Sequence, residues 1–487
     1  MIENLLMGAF NPQTAPRQII TTKTLAYAAL VAISAVAAVA SLVVPPVFLI
    51  VGIVGLAGAV LIYRHVYSGL ILYLLLFLLR PAETYPALAP LRLEFLFGGF
   101  LIIIVLLKNK WTYGKIRFPI NRINFDLLFL LGAIGLSVFG TACTDCTVDA
   151  FMNMAKLAVF YVLIVLIIDS QRRLEIFMWV FVVCNIYMSI GIIQNFFSGA
   201  YVAKEGLVRA TGGNSTMDNM NGIAITMNTI IPFAFYLMVS YRNIWKKLAM
   251  AMMLAPAVLT LILTGSRGGL LGFLMIVITI WWRSQRKLLL TVSFLLFATA
   301  AWFSMEDSRR ERYLTIFDSA EERDQSAQGR IDAWVDGMYL FAAKPVTGVG
   351  AGAFAWARVK EFGVYLMPHN MYVQILAELG LIGAFCYGLF LTDVFRHNRI
   401  VSANVSSRGF PDGLLEPLAL AISTSCYSML ITGVFAHSAY RWAWFFFAAL
   451  AVVVFRLHTE LQTAAEAAAP AEEAHPGDIA LARGGHR

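Results

Sequence analysis

The stretch "LTGSRGGLLGFLMIVITIWWRSQRK", residues 263–287, carries the pattern that decides the fold. Its apolar run near 268–282 is preceded by the polar turn "TGSRGG" and followed by the basic "RSQRK". A helix that crosses the hydrocarbon core of a bilayer needs about 20 mainly apolar residues, and fewer when neighbouring helices bury it. The stretch therefore predicts a membrane-spanning helix between two polar loops.

The same pattern recurs along the chain, of whose 487 residues 59% are hydrophobic and only 14% are charged. Soluble proteins carry about 25% charged residues. We therefore predict an all-α fold, a polytopic integral membrane helix bundle of about 12–14 spans, with the span count least certain near 44–80. The predicted spans lie near 24–44, 47–63, 66–79, 93–107, 125–140, 151–168, 174–197, 219–240, 248–264, 268–282, 288–303, 369–391, 416–435 and 440–456.

Alternate loops between these spans are basic, and all of the basic ones fall on one side of the membrane. By the positive-inside rule that side is the cytoplasm. The net charge of +8 thus reflects membrane topology, and no nucleic-acid partner is expected. The basic loops are "YRH" (63–65), "KNKWTYGKIR" (108–117), "DSQRR" (169–173), "YRNIWKK" (241–247), "RSQRK" (283–287) and "FRHNRIVSANVSSR" (395–408).

This topology divides the chain into segments with different expected roles. Both ends are expected in the cytoplasm, and no removable signal peptide is expected before the first span. The expected segments are a cytoplasmic N-terminus (1–23), N-terminal spans (24–200), spans with arginine motifs (201–303), one long outer loop containing short helices (304–368), C-terminal spans (369–456) and a disordered cytoplasmic tail (457–487).

Four arginines lie on the outer side, where the positive-inside rule makes short-loop arginines scarce: Arg209, Arg267, Arg330 and Arg441. A guanidinium is always charged, and its planar fork binds phosphate with two hydrogen bonds. Arg267 begins a span next to two glycines, so N–H groups of the helix N-terminus add to its charge. The pattern indicates an anion site, although an arginine that reaches lipid headgroups would look similar in sequence.

Two histidines open outward, His369 in "PHNMYVQILAELG" and His437 in "AHSAYRW". A neutral imidazole at the start of a span can accept a proton from a hydroxyl, and Asn370 can orient it or bind sugar. The alternative is that His369 and Asn370 only cap a helix. Glu378, further along the same span, needs a partner or a cavity.

Several familiar motifs do not apply. "TGVGAGAF" (347–354) follows no predicted strand, which excludes a dinucleotide-binding turn, and no P-loop sequence is present. No H-E-x-x-H motif occurs, so neither a catalytic metal nor a cofactor is expected. The C-x-x-C of Cys143 and Cys146 favours a chance pair or a local disulfide over a metal site.

The ordered set of motifs resembles the O-antigen ligase and polymerase superfamily over roughly residues 200–395. The set comprises "VRATGG…DNMNG" (208–222), "LTGSRGGLLGF" (263–273), "RIDAW" (330–334), "KPVTGVGAGAF" (344–354) and "HNMYVQILAELGLIG" (369–383). Each motif alone is weak, and the combination carries the resemblance.

The resemblance implies an inverting, metal-independent glycosyltransferase in the bacterial inner membrane, with its site and the loop 304–368 in the periplasm. The donor would be a glycan linked to undecaprenyl diphosphate. The acceptor would be lipid A–core in a ligase, or another lipid-linked repeat unit in a polymerase. Carried over by motif, Arg209, Arg267 and Arg330 would bind the donor diphosphate, and His369 would be the base.

Two alternatives stay open at this point. A polymerase would join lipid-linked repeat units, and a protein acceptor is also possible. A transporter of lipid-linked or anionic sugars is a different class. Transporters commonly show internal repeats and polar residues near the bilayer midplane, whereas here no repeat is visible and the polar residues gather at one face.

Overall fold

The computed structural model describes Gly58 and residues 60–116, 118–204, 207–212, 219–314, 325–403 and 413–468. The predicted span 24–44 and most of 47–63 lie outside the described residues. The chain divides into two compact units, Met1–His65 and Val66–Arg487. In the first unit, residues 60–64 are helical.

The second unit is a helical bundle in which the predicted spans recur in order. Its described α-helices are α1 (Val66–Leu79), α2 (Pro81–Thr84), α3 (Leu93–Tyr113), α4 (Arg122–Leu136), α5 (Thr144–Ile167), α6 (Gln171–Phe197), α7 (Met220–Ser240), α8 (Ile244–Leu263), α9 (Arg267–Arg283), α10 (Lys287–Ser304), α11 (Asp307–Leu314), α12 (Gln325–Ala343), α13 (Phe354–Phe362), α14 (Met371–Val401), α15 (Leu415–Gly433) and α16 (Trp442–Ala468). Two short strands, β1 (Val202–Lys204) and β2 (Leu207–Arg209), form an antiparallel hairpin between α6 and α7.

Eleven helices in the described part of the chain are long and apolar enough to cross a membrane. The helix α9 has 17 residues and occupies the predicted span 268–282. The prediction of an all-α polytopic membrane bundle is therefore confirmed.

Polar residues at the predicted loop ends cap the helices. The side-chain oxygen or sulfur of each cap accepts a hydrogen bond from a backbone N–H of the first turn, which otherwise lacks a partner. Such caps are Asn121, Cys143, Asn219, Asn243, Ser266 and Asn370.

The centre of the bundle is formed by α7, α15 and α16, whose span segments are about four-fifths buried, whereas α10 lies at the periphery. Phe446 of α16 is completely buried and stacks on Phe181 of α6, with 4.4 Å between ring centroids. Its edge also faces Phe233 of α7. Aromatic packing of this kind holds the central helices to one another.

Small residues bring α9 close to this centre. A Cβ at Gly272 would lie 2.4 Å from the Thr432 methyl group, and one at Gly269 would lie 2.5 Å from the Ala224 Cβ. Asn228 donates to the Gly269 carbonyl at 2.8 Å, and Ser428 donates to the Gly272 carbonyl at 2.9 Å. Close helix approach and inter-helix hydrogen bonds are the usual means of packing in a membrane.

Contacts between helix ends bring the predicted basic loops together at one end of the bundle. At the end that carries the basic loops, Asn121 Nδ2 lies 3.0 Å from His397 Nε2, and Lys246 donates to Glu175 at 2.6 Å. At the opposite end, Gln374 accepts from the Ala439 N–H at 3.2 Å. We call these the basic-loop end and the site end.

The predicted long loop 304–368 contains α11, α12 and α13 at the site end. Its glycine-rich segment, 347–353, packs against a break in α14 at Gly380, where φ is +64°. The Val349 N–H donates to the Ala377 carbonyl at 2.8 Å, and the Leu381 N–H donates to the Pro345 carbonyl at 2.8 Å. These bonds satisfy backbone groups that the helix break would leave without partners, which explains why the glycines are there.

Two segments differ from the predicted boundaries. The helix α5 begins at Thr144 rather than 151, and a disulfide joins Cys143 and Cys146 at its start. The last helix, α16, continues through Ala468, so residues 457–468 are helical where a disordered tail was predicted. The rest of the predicted tail, 469–487, lies outside the described residues.

Candidate active site at one end of the bundle

Three of the four arginines that were predicted on the outer side meet in one pocket at the site end. Arg209, Arg267 and Arg330 line it together with Asn221 and Ser266. We call this pocket the arginine cradle. Its described lining contains no acidic side chain, so the pocket has an excess of positive charge that suits an anion.

Arg209 reaches the cradle from the β1–β2 hairpin, where it pairs with Val202. Its side chain is only 4% exposed, and its Nε donates to the Thr264 carbonyl at 2.7 Å. Thr264 is the C-cap of α8. The positive guanidinium interacts favourably with the negative end of the α8 dipole, and this contact holds the hairpin against the end of the helix.

Arg309 of α11 contacts the same helix end and hairpin, and no sequence motif indicated it. Its guanidinium is 4% exposed and donates to the carbonyls of Leu263 at 3.1 Å and Val208 at 3.0 Å. Burial lowers the pKa of this guanidinium. Arg309 therefore ties the hairpin that carries Arg209 to the end of α8. The charge-dense "DSRRERYL" around it gave no signal that one arginine is buried.

Arg267 is the first residue of α9, directly after the N-cap Ser266. The Ser266 hydroxyl accepts from the Gly269 N–H at 3.2 Å and donates to Asn221 Oδ1 at 2.8 Å. The N-termini of α9 and α7 thus face the same pocket, and their dipoles add to its positive potential. Gly269 also lines the cradle, but its N–H is already used by the Ser266 hydroxyl.

His369 stands in a left-handed conformation, with φ of +46°, directly before α14. Bulky residues adopt this conformation only when the surroundings impose it. On one side, Trp334 donates from Nε1 to the Pro368 carbonyl at 2.9 Å. On the other side, Asn370 Oδ1 accepts from the N–H groups of Tyr372 and Val373, at 2.9 and 3.0 Å. Asn370 is therefore a helix cap, the alternative that the sequence had left open.

His437 lies against His369, with 4.9 Å between the two ring centroids. It belongs to the segment 434–441 between α15 and α16. The sequence had placed both histidines on the outer side, but nothing in their spacing, 68 positions apart, indicated that they would touch. The two imidazoles form one histidine pair.

A second, larger cavity of about 630 Å³ lies next to the histidine pair. His437 lines it, as do the charged side chains Arg80, Glu94, Lys156 and Arg441. We call it the charged cavity. Arg441 lies at the site end with the other three arginines, but it lines this cavity and not the arginine cradle. The segment 435–442 lines both, since Phe435 and Ala436 border the cradle.

Glu378, which was expected to need a partner inside its span, has hydrogen-bond partners in the structure. Its buried carboxylate accepts from the Phe354 N–H, at the start of α13, and from Gln374 Nε2, each at 3.4 Å. The Tyr440 hydroxyl lies nearby, and burial, followed by this carboxylate, raises the pKa of Tyr440 well above its usual range. Glu378 therefore anchors α13 to the break in α14.

Potential metal ligands are scattered rather than grouped. Among the described residues, no three His, Cys, Asp or Glu side chains come together as a metal site.

The fold and this site describe a multi-pass membrane protein with a pocket lined by three arginines at one end of its helices. Residues 251–388 match the family model described as O-Antigen ligase. This match over part of the chain supports membership of the O-antigen ligase superfamily, in agreement with the resemblance found in the motifs. It supports a ligase-like or polymerase-like function and lipid-linked glycan substrates in general. No curated protein matches the chain.

Proposed function

We propose that this protein is an O-antigen ligase-like glycosyltransferase. It moves a glycan from undecaprenyl diphosphate to an acceptor hydroxyl of lipid A–core, with inversion and without a metal ion. The site end faces the periplasm, and the protein lies in the bacterial inner membrane.

The observation that carries this proposal is the arginine cradle. Its arginines come from β2, α9 and α12, which are distant in sequence, and they meet at two helix N-termini. A diphosphate leaves with its negative charge fully developed. Guanidinium groups and helix N-termini that stabilise this charge can take the place of a divalent cation.

The histidine pair supplies the second requirement of the reaction. The oxygen of the acceptor hydroxyl attacks the anomeric carbon, and the bond from that carbon to the diphosphate oxygen breaks with its electron pair leaving on the diphosphate. His369 accepts the hydroxyl proton. Its neighbour His437 holds the ring of His369 in place. Asn370 acts as the helix cap that fixes the position of His369.

Two features support placing the site end in the periplasm. The basic loops lie at the other end, as expected for cytoplasmic loops. The disulfide of Cys143 and Cys146 lies at the site end, next to the glycine-rich segment, since the Ala142 N–H donates to the Val349 carbonyl. Disulfides persist in oxidising compartments such as the periplasm.

The test is glycan transfer by the purified protein in detergent with EDTA. One reaction contains a lipid-diphosphate-linked glycan and lipid A–core, and a second contains the donor alone. We expect a larger product only when the core is present. Chain growth without core would make the protein a polymerase that joins lipid-linked repeat units.

No product from either reaction, with both substrates competent in a reference reaction, would contradict a transferase. Translocation of the lipid-linked glycan by a His369→Ala variant in vesicles would then favour a transporter. Activity that requires an added divalent cation would contradict the metal-independent part of the proposal.

A further inference from the structure

We propose that the charged cavity binds the phosphate-bearing head group of the acceptor lipid, with Lys156 as the main anion contact. This inference rests on the proposed function. It assigns a substrate class to a cavity whose charged side chains, Arg80, Glu94, Lys156 and Arg441, all lie outside the matched residues 251–388.

The size and composition of the cavity fit a charged head group. Its volume of about 630 Å³ is in the range of sites for small molecules and sugars. Its described lining has basic side chains from Arg80, Lys156 and Arg441, against the single acidic side chain of Glu94. The excess of positive charge favours an anion.

Lys156 is the most informative of these cations. It lies in the middle of α5, which is long and apolar enough to cross a membrane. An ionised side chain at such a position is costly and indicates function. Its Nζ donates to Asn153 Oδ1 at 3.2 Å and lies 5.9 Å from the centre of the Phe95 ring. Within the described part of the chain, no carboxylate oxygen lies within 4.0 Å of its Nζ, although its charge acts on Glu94, which lines the same cavity.

Arg80 differs from Lys156 because carboxylates already surround it. Its guanidinium lies 2.9 Å from Glu83 and 3.8 Å from Glu94. It also has a left-handed conformation, with φ of +45°. Its charge is largely balanced, so the inference depends mainly on Lys156.

The apolar part of the cavity indicates that the anion belongs to a lipid. Phe95 and Met152 line the cavity and are 50% and 44% exposed on helices that cross the membrane. These side chains would contact acyl chains, while the cations contact the head group. An amphiphile that enters between α3 and α5 satisfies both.

The position of the histidine pair identifies this lipid as the acceptor rather than the donor. The base must contact the acceptor hydroxyl, and His437, which packs on His369, lines the charged cavity. The arginine cradle already provides the site for the donor diphosphate. Each of the two lipids thus has its own cationic pocket.

The experiment compares acceptors with and without phosphate in steady-state transfer by the full-length protein. In one arm the acceptor is lipid A–core, intact or treated with phosphatase. In the other arm it is a polyprenyl-diphosphate-linked repeat unit. For wild-type protein we expect kcat/KM to be at least tenfold higher with the phosphate-bearing acceptor. The arm that shows this preference identifies the source of the phosphate.

Lys156→Gln should abolish that preference by raising the KM for the phosphate-bearing acceptor about tenfold, with the KM for the donor unchanged. Lys156→Arg should keep the preference, because it keeps the charge. The matched control is Lys246→Gln, which removes a lysine paired with Glu175 at the basic-loop end and should change neither constant. A Tm in detergent equal to that of wild-type protein shows that the Lys156→Gln protein is folded.

Three results would overturn the inference. These are a wild-type enzyme that transfers equally well to both acceptor forms, a Lys156→Gln variant that raises the donor KM instead, and equal losses with both acceptor forms. Each of them leaves the proposed transferase intact. Absence of transfer by wild-type protein to any acceptor would contradict the proposed function itself.

Discussion

Arg267 combines a charge with a geometry, and the two can be separated by one substitution. Lys at this position keeps the charge at the N-terminus of α9 but loses the planar fork that binds a diphosphate through two hydrogen bonds. We expect Arg267→Lys to lower kcat/KM for transfer on the order of 10²-fold, a typical loss for one charge-stabilising donor. Arg283→Lys, at the last residue of the same helix and at the basic-loop end, is the control and should be neutral. Equal activity of Arg267→Lys and wild type would contradict a diphosphate contact at Arg267.

Separate substitutions of His369 and His437 can distinguish the base from the histidine that packs on it. His369→Ala removes the proton acceptor and should lower kcat by about 10²–10⁴-fold. His437→Ala removes the ring that packs on His369 and lines the charged cavity, but it keeps the proton acceptor, so its loss of kcat should be clearly smaller. Steady-state transfer assays of both variants measure the difference. Equal losses, or a larger loss for His437→Ala, would reassign the base to His437.

Substitutions of Asn370 can distinguish a residue that caps α14 from one that binds sugar. Asp keeps the oxygen that accepts from Tyr372 and Val373, whereas Ala removes it. As a cap, Asn370→Asp should retain most of the thermal stability and transfer activity, and Asn370→Ala should destabilise the protein by about 1 kcal/mol. Loss of transfer by Asn370→Asp to the level of Asn370→Ala, with Tm unchanged, would indicate that the amide contacts the substrate.

At the scale of elements, the break in α14 and the glycine-rich segment form one unit. Gly380 has φ of +64° and ψ of −160°, and a Cβ there would lie 2.4 Å from the Val346 carbonyl oxygen. The backbone conformation alone costs a residue with a side chain of order 1–3 kcal/mol. We therefore expect Gly380→Ala to lower the Tm in detergent and to lower transfer.

Gly388 lies on the same helix and provides the matched control. A Cβ at that position would have no atom within 4 Å. Gly388→Ala should leave the Tm unchanged or raise it slightly, because alanine favours a helix over glycine. A Gly380→Ala protein as stable and active as the Gly388→Ala protein would show that the break in α14 is not required.

The whole molecule shows which features can be predicted from sequence. Apolar runs and basic loops predicted the spans, because burial in lipid leaves few alternatives to a helix. The three arginines of the cradle could be predicted because arginine is unusual on the outer side. Residues far apart in sequence, such as Arg309 with Val208, or His369 with His437, could not be paired, since their contacts depend on how the helices pack.

The glycine-rich segment shows the same limit at a larger scale. The sequence predicted no dinucleotide-binding turn there, because no predicted strand precedes the segment. Its real role depends on the break at Gly380, and "LAELGLIG" reads as an uninterrupted apolar helix. Likewise, the charged cavity combines α1, α3, α5 and the 435–442 segment, and no single motif contains it.

The central claim is that the arginine cradle binds the donor diphosphate without a metal ion. The most direct measurement is equilibrium binding of undecaprenyl diphosphate in EDTA by wild-type protein and by variants with Gln at position 209, 267 or 330. Lys246→Gln serves as the control. We expect wild-type protein and the control to bind the diphosphate, and each arginine variant to bind at least tenfold more weakly, as expected for a charge-assisted contact. Binding that is unchanged in all three arginine variants, or that requires added divalent cation, would contradict the account.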